Sequence, residues 1–310
     1  MNNASLTSPS NDLWADWLLH RRFADDPVYT ERVRIVVQGY IDRVLDHAHV
    51  APDCCLLDVG AGEGSLGFRA IERFGAGVKL TLTDISEPML HHARLLAEEK
   101  GIANQCRFVE SSAESLSAIN DASMDVISTR SVLAYVADKQ AAFRAFSRVL
   151  KPGGRISIAE PIFQDEAFDT VILKNRADAQ ASLATESRDL GLILLHRWKS
   201  AQFPDTPEKL TQSAIANYSE RDLLRLAVAE GFTQIHLELH IDVLPSIIQS
   251  WEVFIGASPH PWAPSLNTIM EEQFSFEERQ HFEAMVRPSI EAGHPVSIDR
   301  MAYLSATKPF

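Results

Sequence analysis

The sequence predicts an α/β protein whose central parallel sheet is covered by helices on both faces. Short apolar runs of strand length alternate with segments of helical periodicity between about residues 53 and 163. Such alternation is typical of parallel strands, because parallel neighbours need a long crossover that is usually a helix. A second observation supports this class. The first apolar run ends directly before three glycines at alternate positions, where open α/β sheets bind ligands.

A helical cap precedes this core. Residues 1–11 are polar and are expected to be disordered, whereas apolar side chains recur at helical spacing over residues 12–49. Pro27 divides the cap into two helices, because proline cannot continue a helical hydrogen-bond ladder. The first domain boundary therefore falls at residue 49, and residues 50–163 form the predicted core.

The core elements follow the chain in a regular order. We predict a strand at Cys55–Val59, a helix at Ser65–Phe74, a strand ending at Asp84, a helix over 87–100, strands CRFVES and MDVIST, a helix at Lys139–Leu150 and a strand RISIAEP. Gly101 ends the second helix, since glycine readily adopts the left-handed conformation of helix C-termini. The residues KPGG before the last strand form a tight turn.

After residue 163 the alternation stops. Residues 164–219 indicate a helical insertion, and residues 220–310 return to the core with a helix ending before Gly231 and a strand FTQIHLELHI. A second helical insertion covers 246–294, and the last strand lies near MAYLSATKP. We therefore expect one α/β core with a cap and two insertions.

Composition excludes several classes of protein. The formal net charge is −13 and the chain has no Lys/Arg-rich run, which argues against a nucleic-acid partner. No stretch approaches the roughly 18 apolar residues of a membrane span. The three cysteines form no CxxC pair, and the N-terminus lacks the charged and apolar regions of a signal peptide. We expect a cytoplasmic protein; its oligomeric state is not predicted.

The glycine loop, LLDVGAGEGSLG, indicates which kind of ligand it binds. Ser65 stands where a dinucleotide loop carries its third glycine, and the Gly-Lys-Ser/Thr of a phosphate loop is absent. Asp58 precedes Gly60 at the carboxyl end of the strand. An anion there repels a pyrophosphate and suits a ligand with an amino group. Gly60 and Gly62 let the backbone pass close to that ligand.

Two later positions fit a nucleoside ligand. A carboxylate at Asp84, at the end of the next strand, can accept hydrogen bonds from both ribose hydroxyls, although NAD is compatible with it too. The small residues Ser112 and Ala113 after the third strand leave room for a flat adenine ring.

Taken in order, LLDVGAGEGSLG, LTDIS, SSAESL, MDVISTRSVLAYV and LKPGGRISIAEP resemble the class I S-adenosylmethionine-dependent methyltransferases over about residues 53–163. The resemblance implies a Rossmann-like, seven-stranded, mostly parallel sheet of order 3-2-1-4-5-7-6 with the last strand antiparallel. It also implies S-adenosylmethionine as the cofactor and a transferase activity.

The resemblance further implies roles for individual residues. Asp58 holds the amino group of the cofactor and Asp84 its ribose hydroxyls. The other implied cofactor contacts are Gly60, Ala61 and Gly62 at the methionine and ribose, Ile85, Ser112 and Ala113 at the adenine, and Arg130 at the carboxylate or the substrate. Structural alternatives stay open: the glycines as turn residues, Asp84 as a helix cap, Ser112 as a loop residue and Arg130 in an ion pair.

Methyl transfer of this kind does not require a recognisable catalytic motif in the sequence. The sulfonium methyl is already activated, so the protein mainly aligns the nucleophile and excludes water, and it needs a base only where the nucleophile must lose a proton. Glu160, after the fifth strand, is a candidate base or cation ligand with a structural role as the alternative. His20 is a second candidate, and Arg21, Arg22, Tyr29 and Tyr135 are candidate substrate ligands.

The acceptor is expected to be a small molecule. The N/D-P-P-Y/F and Pro-Cys motifs of nucleic-acid methyltransferases are absent, and cap segments commonly roof small pockets. An O, N or S atom of an amino-acid-like or thioether substrate is the narrower hypothesis. An NAD-linked oxidoreductase and a non-catalytic cofactor-binding partner protein are the rivals. No metal site is expected, because His236 and His240 are too far apart along a strand to chelate easily.

Overall fold

The computed structural model describes residues 12–180, 182–184 and 187–310. The expected disorder of residues 1–11 lies outside the described residues. The strands are β1 (Cys55–Val59), β2 (Lys79–Asp84), β3 (Cys106–Glu110), β4 (Met124–Arg130), β5 (Leu150–Pro161), β6 (Thr233–Pro245) and β7 (Val296–Thr307). The α-helices are α1 (Leu13–Leu19), α2 (Pro27–Ala48), α3 (Ser65–Phe74), α4 (Glu87–Glu99), α5 (Lys139–Val149), α6 (Gln164–Gln180), α7 (Leu190–Gln202), α8 (Pro207–Gln212), α9 (Glu220–Ala229), α10 (Trp251–Gly256), α11 (Leu266–Gln273) and α12 (Phe276–Glu291).

All seven strands form one sheet in the order β3-β2-β1-β4-β5-β7-β6. Strands β1 to β5 pair in parallel, and β7 runs antiparallel to both β5 and β6. The predicted fold class and strand order are confirmed. The carboxyl ends of β1, β2, β4 and β5 therefore share one edge, where Asp58, Asp84, Arg130 and Glu160 lie.

Two apolar clusters cover the two faces of the sheet. Alternate residues of a strand point to opposite faces, and Leu57 of β1 joins one cluster whereas Leu56 joins the other. The first contains Phe143 and Phe146 of α5, and the second contains Leu45 of α2. This is the helix-covered arrangement that parallel sheets require.

Two α-helices, α1 and α2, precede the first strand. Pro27 is the first residue of α2, and the carboxylate of Asp26 accepts a hydrogen bond from the Tyr29 N–H at 2.7 Å, which begins the second cap helix. The two insertions pack on each other, since Leu194 of α7, Trp251 of α10 and Phe282 of α12 share one buried cluster.

Three boundaries differ from the predictions. KPGG belongs to β5 rather than to a separate turn, and its ladder with β4 is irregular there. The antiparallel pair of β6 and β7 is longer than expected, because its pairing continues to Pro245 opposite Val296. Sequence periodicity does not extend that far, since the additional residues of β6 are exposed and those of β7 are exposed or half-buried. Within the described part of the chain, no helix is long and apolar enough to cross a membrane.

Candidate active site

The glycine loop between β1 and α3 lies at the carboxyl edge of the sheet. Gly60 has φ +63°, and a Cβ built on it would lie 2.4 Å from Cγ2 of Val132. The Ala61 N–H donates to the Thr83 carbonyl oxygen at 2.9 Å, which anchors the loop to β2. Only glycine fits at position 60, so the loop backbone can follow this tight path and face the space above the strands.

Asp58 is a buried acid beneath this loop. Its Oδ2 accepts a hydrogen bond from the Gly67 N–H at 2.9 Å, and the residue is 2% exposed. Burial raises the pKa of Asp58 to about 7, although the Gly67 N–H and the charge of Arg130 oppose the rise. The side chain is therefore able to gain or lose a proton near neutral pH.

Asp84 connects the glycine loop with the next helix. Its Oδ2 accepts from the Gly62 N–H at 2.8 Å and its Oδ1 from the Ser86 N–H at 3.0 Å. Burial raises the pKa of Asp84, and these N–H groups oppose the rise. The alternative of Asp84 as the helix cap does not hold: α4 is capped by Ser86, whose hydroxyl accepts from the Met89 N–H.

The first cap helix, α1, lies over this loop. The hydroxyl of Ser86 donates to Oδ1 of Asp12 at 3.0 Å, and the same carboxylate caps α1 by accepting from the backbone of Trp14 and Ala15. Leu18 lies above Gly62, with its Cδ1 3.7 Å from the position of a Cβ there. One carboxylate thus joins the cap to the start of α4.

The predicted adenine side is apolar and partly open. Ile85 is 51% exposed although it is a large apolar residue, whereas Ala113 is buried beside it along the cavity wall. The Ser112 hydroxyl accepts from the Glu114 N–H at 3.2 Å. Ser111 was not singled out from the sequence; its hydroxyl is buried without a hydrogen-bond partner among the described residues and it lines the same space.

Arg130, at the end of β4, is a half-buried cation. Its Nη1 contacts the Ser131 hydroxyl at 3.3 Å, and the described residues include no carboxylate paired with it. Burial lowers the pKa of Arg130 to about 10, and the nearby charge of Arg22 acts in the same direction. The alternative of a structural ion pair is not supported, and the guanidinium remains available to an anionic group.

All nine predicted cofactor ligands line one cavity of about 1120 Å³. The nine are Asp58, Gly60, Ala61, Gly62, Asp84, Ile85, Ser112, Ala113 and Arg130. The cavity continues beneath the cap to Arg22 and Tyr135, two of the four predicted substrate ligands. This volume exceeds the range of about 300–1,000 Å³ of ordinary ligand pockets, so it has room for a nucleoside and a second small molecule.

Arg22 and Tyr135 form part of an aromatic wall. The guanidinium carbon of Arg22 lies 5.2 Å from the ring centre of Trp17, a cation–π distance. The Tyr135 ring makes edge contacts with Trp14, Trp17 and Trp262. Burial raises the pKa of Tyr135 to about 12, so its hydroxyl stays protonated at neutral pH.

Three cap residues do not line the cavity, contrary to their predicted roles. His20 ends α1, its side chain is 62% exposed, and it lies 3.4 Å from Asp25. Arg21 pairs with Asp16 and donates to the carbonyl oxygen of Pro261, so it fastens the cap to the second insertion. Tyr29 packs edge-on against Phe23 instead. The helix ends at Leu19, and in the 3₁₀ turn that follows Arg22 and Phe23 line the cavity whereas Arg21 does not.

Glu160 is a structural ligand of the loop after β4, and this corrects its predicted catalytic role. It is 0% exposed, and its carboxylate accepts from the N–H groups of Val132 and Ala134 and from the Thr129 hydroxyl, at 3.0–3.1 Å. Burial raises the pKa of Glu160 and these donors oppose the rise. With its oxygens occupied and no cavity contact, it holds the loop that carries Val132 and Tyr135.

Glu166, on α6, is an acid that the sequence reasoning missed. Its Oε1 accepts from Nη1 of Arg300 at 2.9 Å, whereas its Oε2 is buried without a hydrogen-bond partner among the described residues. It lines the cavity, and burial raises its pKa. No local signal distinguishes it, because it is one of several acids in a polar helical insertion.

The fold and this site define a class I S-adenosylmethionine-dependent methyltransferase. Residues 51–212, just over half of the chain, match the family model described as a methyltransferase domain, and the chain belongs to this family. The enzyme uses S-adenosylmethionine as its cofactor. The expected transferase class is confirmed, and the NAD-linked alternative is not supported.

Curated relatives match about a third of the chain. The ubiquinone/menaquinone biosynthesis C-methyltransferase of Idiomarina loihiensis is 39% identical over 105 residues, which are 34% of this chain and 41% of that protein. Its counterpart in Shewanella frigidimarina is 34% identical over 116 residues, 37% of this chain and 46% of that protein. The chain spans less than half the length of these relatives.

Solved structures share the fold over most of the chain. The YcgJ protein of Bacillus subtilis superposes with a TM-score of 0.53 at 18% identity, covering 88% of this chain and 99% of that one. The geranyl diphosphate C-methyltransferase of Streptomyces coelicolor A3(2) gives a TM-score of 0.51 at 18% identity, covering 92% and 84%. At this identity the likeness establishes the fold.

Proposed function

We propose that this enzyme transfers the methyl group of S-adenosylmethionine to a small acceptor that carries a negative charge. The observation that carries the proposal is the pairing state of Arg22. It lines the cavity beneath the cap, it is stacked on aromatic rings, and the described chain contains no carboxylate in ion-pair contact with it. An unpaired guanidinium in a partly enclosed cavity favours an anionic ligand.

The carboxyl edge of the sheet is the proposed cofactor end. Asp58 receives the amino group and Arg130 the carboxylate of the methionine portion, since the two side chains are close enough for each to shift the pKa of the other. Asp84 takes the ribose hydroxyls, and Ser111, Ser112 and Ala113 surround the adenine. When bound, the cofactor supplies a sulfonium methyl group open to nucleophilic attack.

The cap and first insertion form the proposed acceptor end. Arg22 binds the anionic group, and Trp14, Trp17 and Tyr135 pack against the apolar part of the acceptor. The aromatic wall also excludes water, which raises the strength of the charged contact. We assign the acceptor atom to O, N or S, in a molecule of amino-acid-like size; a thioether is the variant that needs no base.

Glu166 is the proposed proton acceptor where the nucleophile carries a proton. Glu166 lines the cavity, its Oε2 has no hydrogen-bond partner among the described residues, and burial raises the pKa of its carboxyl. This role replaces the one predicted for Glu160. Carbon is a second candidate acceptor atom, favoured by the C-methyltransferase activity named for the curated relatives.

One experiment tests the acceptor charge. The protein is incubated with methyl-labelled S-adenosylmethionine and a cell metabolite extract separated by ion exchange into anionic, neutral and cationic fractions. We expect the labelled product from the anionic fraction, and its fragmentation in mass spectrometry identifies the acceptor atom. A product from the cationic or neutral fraction alone would refute the proposal.

Two variants then test the side chains on the identified acceptor. Arg22→Gln is expected to raise the KM for the acceptor roughly 10- to 100-fold while leaving cofactor affinity unchanged, because a charge-assisted hydrogen bond is lost. Arg144→Gln, at an exposed position of α5, is the matched control.

Glu166→Gln is expected to remove the acidic limb of the pH–rate profile, whereas exposed Glu272→Gln retains it. An unchanged pH–rate profile in Glu166→Gln would indicate a thioether acceptor, which needs no base.

A further inference from the structure

A group of histidines lies where α2 meets the edge strand β6, outside the cavity lining. His47 is in the last turn of α2, and His236 and Glu238 are two residues apart on β6. Residues at this spacing on a strand point to the same face. We name His47, His236 and Glu238 the edge triad. One ligand atom from each of them lies within 4.8 Å of the others.

The distances in the edge triad approach those of a metal centre. Zinc bonds to histidine nitrogen and carboxylate oxygen are about 2.0–2.1 Å long, so two ligands of a tetrahedral ion are about 3.3 Å apart. Nε2 of His236 lies 3.0 Å from Oε1 of Glu238, and Nε2 of His47 lies 3.8 Å from the same oxygen. Both distances are within about half an ångström of that value, so small side-chain adjustments bring the three ligand atoms around one ion.

The two oxygens of Glu238 have separate surroundings. Oε2 is held by Nη1 of Arg43 at 2.9 Å and by Nε2 of His240 at 2.8 Å, which leaves Oε1 to the two triad histidines. Outer contacts of this kind orient a ligating carboxylate.

We infer that the edge triad is a binding site for a divalent transition-metal ion, with Zn²⁺ the best match to two imidazole nitrogens and one carboxylate oxygen. Three protein ligands of this composition leave a fourth position to water. The side chains of His47, His236 and Glu238 are 26%, 57% and 27% exposed, so an ion can enter from solvent. The sequence spacing relates only His236 and His240, which share a strand. His47 belongs to α2, distant in sequence, and supplies the third ligand.

The bound ion would act on stability rather than on methyl transfer. None of the three ligands lines the cavity, whereas Val33, Val37 and Ile41 of α2 do. A metal at the C-terminal turn of α2 joins this helix to β6 and restrains the wall to which the cavity residues belong. We therefore expect a rise in the melting temperature with little change in kcat.

Zinc and cobalt ions are the probes that test this site. Tag-free protein is freed of metal with a chelator and then titrated with ZnCl₂ in a calorimeter and with CoCl₂ in a spectrophotometer. We expect one tight equivalent of Zn²⁺ per chain and a Co²⁺ absorption band that Zn²⁺ abolishes. At about a 100-fold excess over Kd, the melting temperature should rise by about 5 °C.

Single substitutions connect the binding to the edge triad. His47→Ala, His236→Ala and Glu238→Gln should each weaken Zn²⁺ binding at least tenfold, while exposed His281→Ala on α12 leaves it unchanged. Because the ligands are partly exposed, the metal-free variants should keep the wild-type circular dichroism spectrum, which separates loss of binding from unfolding. Equal Zn²⁺ affinity in wild type and in the His47→Ala/His236→Ala double variant would overturn the inference. So would a loss of binding confined to His240→Ala.

Discussion

Gly60 provides the sharpest test of how the glycine loop is built. Its φ of +63° lies in the left-handed region, and a Cβ there would stand 2.4 Å from Cγ2 and 2.9 Å from Cγ1 of Val132. Val132 belongs to the loop that Glu160 holds through backbone N–H groups, so it cannot move away freely. We therefore expect Gly60→Ala to disturb both the backbone and the packing.

The magnitude follows from these two effects. A residue with a Cβ in the left-handed conformation costs roughly 1–2 kcal/mol, and overpacking adds roughly 1–3 kcal/mol. Together they lower the free energy of unfolding by roughly 2–5 kcal/mol, against a typical total of about 5–15 kcal/mol. Gly101→Ala is the matched control, because Gly101 has φ +70° with no heavy atom within 4 Å of the built Cβ. It should lose only the backbone contribution of roughly 1–2 kcal/mol.

The assay is urea denaturation of wild type, both single variants and Gly60→Ala/Val132→Ala, followed by circular dichroism at one temperature. The double variant removes the two methyl groups that the new Cβ would meet, so it should recover part of the loss. Cofactor titration of the folded proteins should show weaker binding in Gly60→Ala than in Gly101→Ala. A Gly60→Ala protein as stable as Gly101→Ala would refute the proposed contact with Val132.

Three further predictions concern the acids and the cap. The affinity of wild type for S-adenosylmethionine should rise several-fold between pH 6 and 7.5 in calorimetry. The reason is that Asp58, with its raised pKa of about 7, must lose its proton to receive the amino group; Asp58→Asn should abolish the rise. Because the folded protein holds the proton of Asp58 up to a pKa of about 7, whereas the ordinary pKa is 3.8, the folded state binds more protons than the unfolded state between these values. The stability of the cofactor-free protein should therefore fall as the pH rises through this range. Glu160→Gln should lower the free energy of unfolding by roughly 2–4 kcal/mol, because backbone N–H groups lose a charged acceptor; lost turnover at unchanged stability in urea would instead return Glu160 to catalysis. Ser86→Ala should cost about 1–2 kcal/mol and loosen the cap, since it removes both the α4 cap and the bond to Asp12; protease cleavage near α1 no faster than in wild type would contradict this.

Local sequence was sufficient to predict the position of the glycine loop and of the strand ends beside it. Asp58, Gly60 and Asp84 occupy the ends of consecutive parallel strands, and parallel pairing brings such ends to one edge. That these residues line one cavity could therefore be predicted from order and spacing. The limits of β6 and β7 could not, because their outer residues are exposed and their pairing depends on the partner strand.

The acceptor side was harder to predict for a different reason. The position of Glu160 at the end of a core strand predicts that it faces the site, yet its hydrogen-bond donors come from β4 and the loop after it, 26–31 residues away. Glu166 belongs to an insertion without a distinctive pattern. Arg21 and Arg22 are neighbours, and only the turn after α1 decides that the second one enters the cavity.

By itself the sequence determined the strands and the glycine loop, since apolar periodicity and glycine spacing are local properties, while the strand order and the methyl donor followed from the resemblance to class I S-adenosylmethionine-dependent methyltransferases. The tertiary structure decided which charges meet: that Glu160 is saturated, that Arg22 and Glu166 face one cavity, and that His47 reaches Glu238 across 191 positions of the chain. Those contacts depend on how separate elements pack, because a side chain's partners are set by burial and orientation in three dimensions and not by its spacing along the chain.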